Sequence, residues 1–371
     1  MDKNTLKTSF GKWVGPINFD KIKMDVDFFK QDHYTKKLIT QSFILLMLYS
    51  HLNKKESLYA MEAELADEGL QNALGFTSIS VSQLSRKNNA VDPAILSSLF
   101  LNLAGQLNTR FQPPKTKMVL KIIDSTTIPL NLNHFKWATF RKTKSGYKLH
   151  LRLVFNDDGS HYPEKEVMTN AKEHDRNQLE VLVDDREAMY VFDRGYVDYK
   201  RFDSFTDDGL FFVCRLKKNA VLHIIKELDL LEGSTVLADK AVLIGTAKNQ
   251  TRNLFRIVTV TDSRGKEMRL ITNRFDISAD EISEIYRSRW AIELFFKWIK
   301  QHVKIKHFYG MSENAVKNQI YLALITYCLT VLVQAETKSK KTLLQITRWL
   351  TATIWKEARH WLRRFENADV P

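Results

Sequence analysis

A chain of 371 residues, 44% hydrophobic and 11% aromatic, carries enough apolar material for two or three globular domains, which excludes a disordered or fibrous protein. Lys and Arg number 56 against 43 Asp and Glu, an excess of +13 that favours a polyanionic partner, nucleic acid before a membrane surface. Two distant cysteines, Cys214 and Cys328, exclude a disulfide scaffold and a cysteine-type zinc site and fit a reducing cytoplasm, and Met1-Asp-Lys-Asn-Thr-Leu-Lys7 has no apolar signal core.

From Met1 to about Asn108 the chain reads as helical. Gln41–His51 is a strongly apolar helix, Glu56–Ala73 is a second that stops at Gly75, and Pro93 opens another carrying Leu96, Leu99, Phe100, Leu103 and Leu107. Between them, after the turn Phe76-Thr-Ser78, runs the polar segment Ile79–Asn88. Helix, short turn and polar helix have the pattern of a helix-turn-helix, with Ser80, Ser82, Gln83, Arg86 and Lys87 offered to phosphates and base edges; plain helical bundles share that pattern.

Pro113 and Pro114 mark a boundary, and strand patterns follow. Met118–Asp124 reads as a strand ending in Asp124, before a turn-forming Ser125-Thr-Thr127. Tyr147–Phe155 alternates as a half-buried strand does, Asn156–Gly159 is a hairpin turn, and a return strand runs from Ser160 to Thr169. Asp175–Glu187 reads as an amphipathic helix with Leu179, Leu182 and Val183 inward. Ala188–Asp193 is a strand that again ends in Asp, closed by Arg194-Gly195; a helix to about Phe205 and a fifth strand, Leu210–Arg215, complete the set. The first three strands predict an antiparallel meander, and the helical crossover places the fourth parallel to the first. As neighbours, those two strands would set Asp124 beside Asp193 near the strand ends, where open sheets place ligands. This α/β order, a mixed five-stranded sheet with helices, is that of the ribonuclease H-like fold.

Between Phe111 and His150 the basic residues Lys115, Lys117, Lys121, Lys136, Arg141, Lys142, Lys144 and Lys148 surround a lone acid, Asp124. From Lys217 to about Phe275 the chain reads as a separate β-rich insertion, with short strands at Val236–Ala238 and Ala241–Ile244 and a hairpin of Phe255–Thr261 and Met268–Asn273 around Asp262–Gly265. The domain layout expected is therefore helical over 1–112, core over 113–216, insertion over 217–277, core again over 278–312, and helical over 313–371. In the last of these, Ile320–Val333 is too short for a membrane span and reads as a buried helix. Leu343, Ile346, Leu350, Ile354, Ala358, Trp361 and Phe365 predict one amphipathic basic helix.

The stretch Tyr286–Lys300 has no Pro or Gly, and Ser278 with Glu281 forms a capping box ahead of it, so it reads as one helix. At about 100° per residue, Tyr286, Arg289, Glu293 and Lys300 fall on one stripe of an otherwise apolar surface. Either the stripe is a solvent face with Glu293 paired to Arg289, or it is aimed at something charged. Asp124, Asp193 and Glu293 together are hard oxygen ligands that suit Mg²⁺ or Mn²⁺, and two such ions serve phosphodiester chemistry. Singly, each Asp reads equally as a turn or helix cap. His150, inside a strand, reads as structural. No H-E-x-x-H, Walker loop or G-x-S-x-G is present.

Tyr286-x₂-Arg289-x₃-Glu293-x₆-Lys300 resembles the Y-x₂-R-x₃-E-x₆-K signature of bacterial insertion-sequence transposases with a DDE triad. Asp124 in Ile-Ile-Asp-Ser-Thr-Thr and Asp193 in Phe-Asp-Arg-Gly-Tyr are similar to that family's two aspartates. The resemblance implies that Asp124, Asp193 and Glu293 hold two Mg²⁺ or Mn²⁺ ions and that Tyr286, Arg289 and Lys300 contact phosphates. Arg86, Lys87, Arg141, Lys142 and Lys144 are the further DNA contacts expected. It implies a cut-and-paste DNA transposase of the bacterial cytoplasm, without a membrane. Such an enzyme binds double-stranded terminal repeats as a homodimer and joins 3′ ends to target DNA. Several members pass through a DNA hairpin that needs an aromatic for a flipped base; the insertion has no Trp, leaving Phe255, Phe275 or Trp290. The alternatives are a metal-dependent nuclease of the same fold and a transposase-derived DNA-binding protein without catalysis.

Overall fold

The computed structural model describes residues 3–111, 118–262, 264–302 and 308–366. The expected boundary at Pro113 and Pro114, and the basic residues Lys115 and Lys117, lie outside these. The chain divides into two compact units. Met1–Phe111, Pro129–Ser145 and Lys297–Pro371 form one; Gln112–Ile128 with Gly146–Phe296 forms the other.

The first unit is largely helical. Thr40–Leu52 is buried along almost its whole length, and so is Glu313–Glu336. The latter is long and apolar enough to cross a membrane, yet 89% of its most apolar window is buried in protein. Its hydroxyls are satisfied locally: Thr326 and Thr330 each donate to the carbonyl four residues back, at 2.8 Å. Two expected helices are broken. The 56–73 stretch splits into Leu58–Ala63 and Glu68–Leu74, because Asp67 accepts the Leu70 N–H at 2.8 Å and caps a new start. The basic C-terminal stretch splits into Leu343–Ala352 and Ala358–Glu366, where the Phe10 and Ser9 N–H groups take the carbonyls of Ile354 and Lys356. The polar helix is Val81–Ala90, started by a capping box of Ser80 and Gln83. Arg86 on it is exposed. Lys87 is not on offer to DNA: it is 8% exposed, with its Nζ 2.6 Å from Asp32.

Among the described residues ten strands form one mixed sheet: β1 Val119–Leu130, β2 Thr139–Arg141, β3 Lys144–Phe155, β4 His161–Asn170, β5 Ala188–Phe192, β6 Phe211–Arg215, β7 Leu222–Glu227, β8 Ala238–Ile244, β9 Phe255–Thr261 and β10 Glu267–Thr272. The order is β2-β3-β1-β5-β6-β10-β9-β8-β7, with β4 antiparallel to β3, β5 parallel to β1, and β6 parallel to β5. The fold is mixed α/β. β1 does not stop at Asp124; the β-branched run Thr126, Thr127 and Ile128 carries it on, with Thr126, Ile128 and Leu130 turned inward. The helix expected over Asp175–Glu187 is reduced to one turn and Leu179–Leu182, since the Tyr190 hydroxyl accepts the Asp184 and Asp185 N–H groups that would continue it.

The insertion is not separate. β10 pairs with β6, from Leu270 opposite Arg215 to Thr272 opposite Val213, so β7 to β10 extend the same sheet. A buried pair, Arg256 Nη2 to Asp239 Oδ2 at 2.6 Å, locks it, and Arg256 also donates to the Ile277 carbonyl just ahead of the next helix. Phe192, Phe202, Phe212 and Phe255 form the aromatic core, with Phe202 and Phe212 stacked at 4.5 Å. Truncating one of these to Ala costs about 3–5 kcal/mol.

His51 closes the Thr40–Leu52 helix with Nδ1 donating to the Met47 carbonyl at 2.8 Å, and burial pulls its pKa from 6.5 to about 4. The folded state thus holds it neutral while the unfolded chain takes a proton. Its contribution is present above pH 6.5 and is lost as pH falls toward about 4. We expect the urea midpoint to fall across that window and His51→Leu to flatten the slope by one proton; an identical slope in both proteins would reject this.

Candidate active site

Parallel pairing of β1 with β5 sets Ile122 opposite Val191 and Ile123 opposite Phe192. Asp124 and Asp193 come one step further on, so the register brings two carboxylates side by side. Asp193 leaves β5 and turns the chain, its Oδ1 accepting the Gly195 N–H at 2.6 Å. The Cys214 thiol at the end of β6 donates to the Asp193 carbonyl at 3.4 Å; burial and the Asp193 charge push that thiol's pKa up. Asp124 accepts its neighbour Ser125 N–H at 2.7 Å, and the Ser125 hydroxyl donates to Asp175 at 2.6 Å.

The third carboxylate arrives on a helix that differs from the expected one. The capping box of Ser278 and Glu281 starts it, but it ends at Arg287, and a second helix runs from Trp290 to His302. At the break the Ser288 hydroxyl takes the Ile285 carbonyl at 2.6 Å, and the N–H groups of Arg289, Ala291 and Ile292 bond three residues back instead of four. Arg289 lies in this turn. Glu293 lies in the first turn of the second helix, where the helix dipole favours a carboxylate.

Arg289 joins the parts. Its Nη1 is 3.3 Å from Asp124 Oδ2 and its Nη2 is 2.5 Å from Glu293 Oε1. Its Cζ stands 5.9 Å from the Tyr286 ring, which is itself buried. The polar stripe is thus not a solvent face: Tyr286 is buried and Arg289 nearly so, Glu293 pairs with Arg289 as one alternative has it, and the same guanidinium reaches a second acid. Burial, reinforced by Asp193 and Glu293, pushes the Asp124 pKa up to about 6, although the Ser125 N–H and Arg289 oppose it. Burial disfavours the Arg289 charge, but Glu293 and Asp124 outweigh it and raise that pKa.

Among the described residues no three His, Cys, Asp or Glu side chains stand close enough to share one ion. The donor chemistry nevertheless fits a hard divalent cation: three oxygen donors, with the Asp124 carboxyl half-buried and within the field of the Asp193 and Glu293 charges. Arg289 supplies the bridging cation for two of the three.

Other residues singled out above lie elsewhere. Lys300 is seven residues beyond Glu293 on the same helix, in the stretch that belongs to the other compact unit. Arg141, Lys142, Lys144 and Arg86 are exposed and also belong to that unit. The basic field is thinner than its composition implies. Lys121 pairs with Glu164 and Asp185, and Lys148 with Asp175. His150 is fully buried and meets the Thr169 hydroxyl at 2.9 Å, a structural role. Phe255 is in the core and cannot face DNA, while Phe275 and Trp290 are 47% and 56% exposed. Sequence reasoning missed Asp175, which holds Ser125 and Lys148 from 50 and 27 residues away; no local pattern signals it.

The transposase DDE domain family matches residues 115–329, a stretch that contains all three carboxylates. This chain belongs to the DDE transposases of insertion sequences. A domain of unknown function matches residues 5–77. The probable transposase for insertion sequence element IS5377 of Geobacillus stearothermophilus is 32% identical over 267 residues, 70% of this chain and 68% of that protein. The putative transposase y4zB of Sinorhizobium fredii is 33% identical over 64% of this chain and 66% of its own length. The putative transposase for insertion sequence element IS4SA of Synechocystis is 25% identical over 77% and 81%. A synaptic complex of piggyBac transposase with hairpin DNA superposes with a TM-score of 0.48 at 9% identity, covering 98% of this chain and 83% of that one, a likeness too low to bear on function. Membership makes the chain a DNA transposase of the DDE class, whose members use divalent metal ions.

Arg289→Met would leave Asp124 and Glu293 without their shared cation. Because Glu293 is 38% exposed, solvent screening limits the cost to on the order of 1 kcal/mol in EDTA, read by urea unfolding. Mn²⁺ should then raise the melting temperature of the variant more than that of the native protein. Equal stability in EDTA would show that Arg289 does not neutralise the pair.

Proposed function

We propose that this transposase binds the terminal repeats of its insertion sequence, cuts the element out and joins the 3′ ends to target DNA, with Asp124, Asp193 and Glu293 as the catalytic acids. One observation carries this reading: two acids on adjacent parallel strands, and a third tied to the first of them through Arg289. The strand arrangement supports a ribonuclease H-like core, with β3 antiparallel to β4 and β5 reached by a crossover to run parallel to β1. The domain layout proposed from sequence stands beside it, with the 217–277 insertion now part of the same sheet.

Asp124, Asp193 and Glu293 are the residues that would hold Mg²⁺ or Mn²⁺, two ions being expected from the chemistry. Bound there, the ions would activate the attacking oxygen and stabilise the leaving one in hydrolysis and transesterification. The protein's own groups fix the site. The Gly195 N–H orients the Asp193 carboxylate, the Ser125 N–H orients Asp124, and Asp175 anchors the Ser125 hydroxyl. Arg289 holds Glu293 toward Asp124 and keeps a fork of donors for a phosphate. Tyr286 backs Arg289, and Lys300 contacts the DNA backbone further along the helix. Exposed Arg86, Arg141, Lys142 and Lys144 add phosphate contacts, and two copies act together so that both element ends are handled as one. Of the aromatics named for a hairpin step, Phe275 and Trp290 have the exposure to hold a flipped base.

Labelled terminal-repeat DNA with Mg²⁺ tests this. Asp193→Asn and Glu293→Ala should reduce cleavage at the repeat boundary to background while retaining DNA binding; cleavage at the native rate in either would sink the assignment. A nuclease of this fold would cut without joining to a target plasmid, and a non-catalytic DNA-binding derivative would do neither. Lys300→Ala should lower the slope of log affinity against log salt by about 0.9, one phosphate contact; an unchanged slope with slower chemistry would reject a phosphate-positioning role.

A further inference from the structure

Within the 146–296 stretch lies a groove of about 510 Å³ that the carboxylate cluster does not use. Arg194, Arg215, Lys218, Lys266 and Arg269 line it, and Glu267 is its one acid. Arg194 follows Asp193 directly. Arg215 follows Cys214, whose thiol meets the Asp193 carbonyl, so both arginines emerge at the strand ends beside that aspartate. Lys266 and Arg269 come from the β9–β10 hairpin. Arg269 is held in place, donating to the carbonyls of Lys217 and Lys218.

Arg215 and Lys266 feel the charge of Asp262 in the β9–β10 turn, but neither is tied to it by a salt bridge. Among the described residues Arg194, Arg215, Lys218 and Lys266 form no salt bridge, although the same unit pairs Lys121, Lys148, Arg152 and Arg256 with acids. Like charges gathered in a concavity repel, and a docked polyanion relieves that repulsion. The groove's chemistry also limits what it reads. Its remaining lining is Leu216 and Met268, with no aromatic ring to stack on a base and no Asn or Gln to bond a base edge. Cations grip phosphates on any sequence, and the base contacts left to this lining are a guanine edge for its arginines and a cytosine amine for Glu267, so most of its affinity is independent of sequence.

The proposed reaction has two DNA partners. The terminal repeat must be recognised by sequence, whereas the DNA that receives the element is met at many sites. We propose that this groove seats the sequence-independent partner, the target DNA, and leads its backbone to Asp193. The proposal rests on the transposase reading above.

Lys218→Glu with Lys266→Glu tests it, both side chains being exposed. A control double reversal at exposed Lys200 and Lys248 changes net charge equally away from the groove. The slope of log affinity against log salt is measured by fluorescence anisotropy on an arbitrary duplex and on a terminal-repeat duplex ending at the repeat boundary. On the arbitrary duplex the groove variant should lose about 1.8 in slope, two phosphates at about 0.9 each, and bind at least tenfold more weakly than the control. Loss on the terminal-repeat duplex should be several-fold smaller, and joining of pre-cut ends to a plasmid should fall with the arbitrary-duplex affinity. An arbitrary-duplex slope equal to the control's, or equal losses on both duplexes, would overturn the proposal. A native protein that neither cleaves nor joins would instead defeat the transposase reading, and the arbitrary-duplex slope would still decide whether the groove holds DNA.

Discussion

Two strands and a helix bring the carboxylates of Asp124, Asp193 and Glu293 within electrostatic reach of one another, and that negative charge is the constraint around which the unit of Gln112–Ile128 with Gly146–Phe296 is arranged. Two like charges 4 Å apart cost about 4 kcal/mol at an effective dielectric of 20. The protein meets this in two ways. Asp124 shifts toward its neutral form, and Arg289 bridges it to Glu293. A guanidinium suits the second task because its planar fork offers separate N–H groups to two acceptors; an ammonium is a single point. The break at Ser288-Arg289 follows from the same need. In a continuous helix Arg289 and Glu293 would share a face, but the turn between them lets the arginine also reach Asp124 on β1.

Chain distance is the second constraint. Asp193 and Glu293 are separated by β6 to β10, and a flexible insertion would leave their spacing undefined. Instead β10 zips against β6, and Arg256 ties the β8–β9 pair to the carbonyl of Ile277, next to the residue that caps the helix before the break. The aromatic core works from the other side. Phe192 precedes Asp193 and packs on Phe202 and Phe212, and Phe212 on Phe255, so one aromatic cluster joins β5, the Tyr199–Asp207 helix, β6 and β9. The position of Asp193 is thereby set by packing, and that of Glu293 by a sheet that reaches it without a linker.

Period and punctuation made much of this legible. Asp124 and Asp193 were findable because each ends or interrupts an apolar strand run, and Glu293 because an apolar helix keeps a polar stripe. What stayed hidden depends on partners distant in sequence. Whether a lysine is free or buried in a pair is not a local property: Lys87 meets Asp32, and Lys121 meets Glu164 and Asp185. Helix ends chosen by tertiary hydrogen bonds were equally invisible. Tyr190 stops the helix before β5, and the N-terminal Ser9 and Phe10 occupy the gap between the last two helices. The continuation of β1 past Asp124 was legible in principle, since Thr and Ile favour strands, but Ser-Thr-Thr also suits a turn, and burial on the sheet decided between them.

The distribution of cations around Asp193 then takes on meaning. Arg194 adjoins it in sequence and Arg215 adjoins it across β6, yet neither forms an ion pair with it, while Arg289, from a different element, bridges its two companion acids. One side of the strand ends therefore has its acids bridged by Arg289, and the other gathers five cations against Glu267, of which Arg194, Arg215, Lys218 and Lys266 form no salt bridge among the described residues. A site with only carboxylates would repel DNA, and a site with only cations would hold DNA without acting on it. Placing paired acids beside cations without salt bridges would let a phosphodiester backbone, in the proposed role of the groove, approach without confronting bare carboxylates. On the function proposed above, that division of charge is the electrostatic condition under which a second DNA would be accepted at the site.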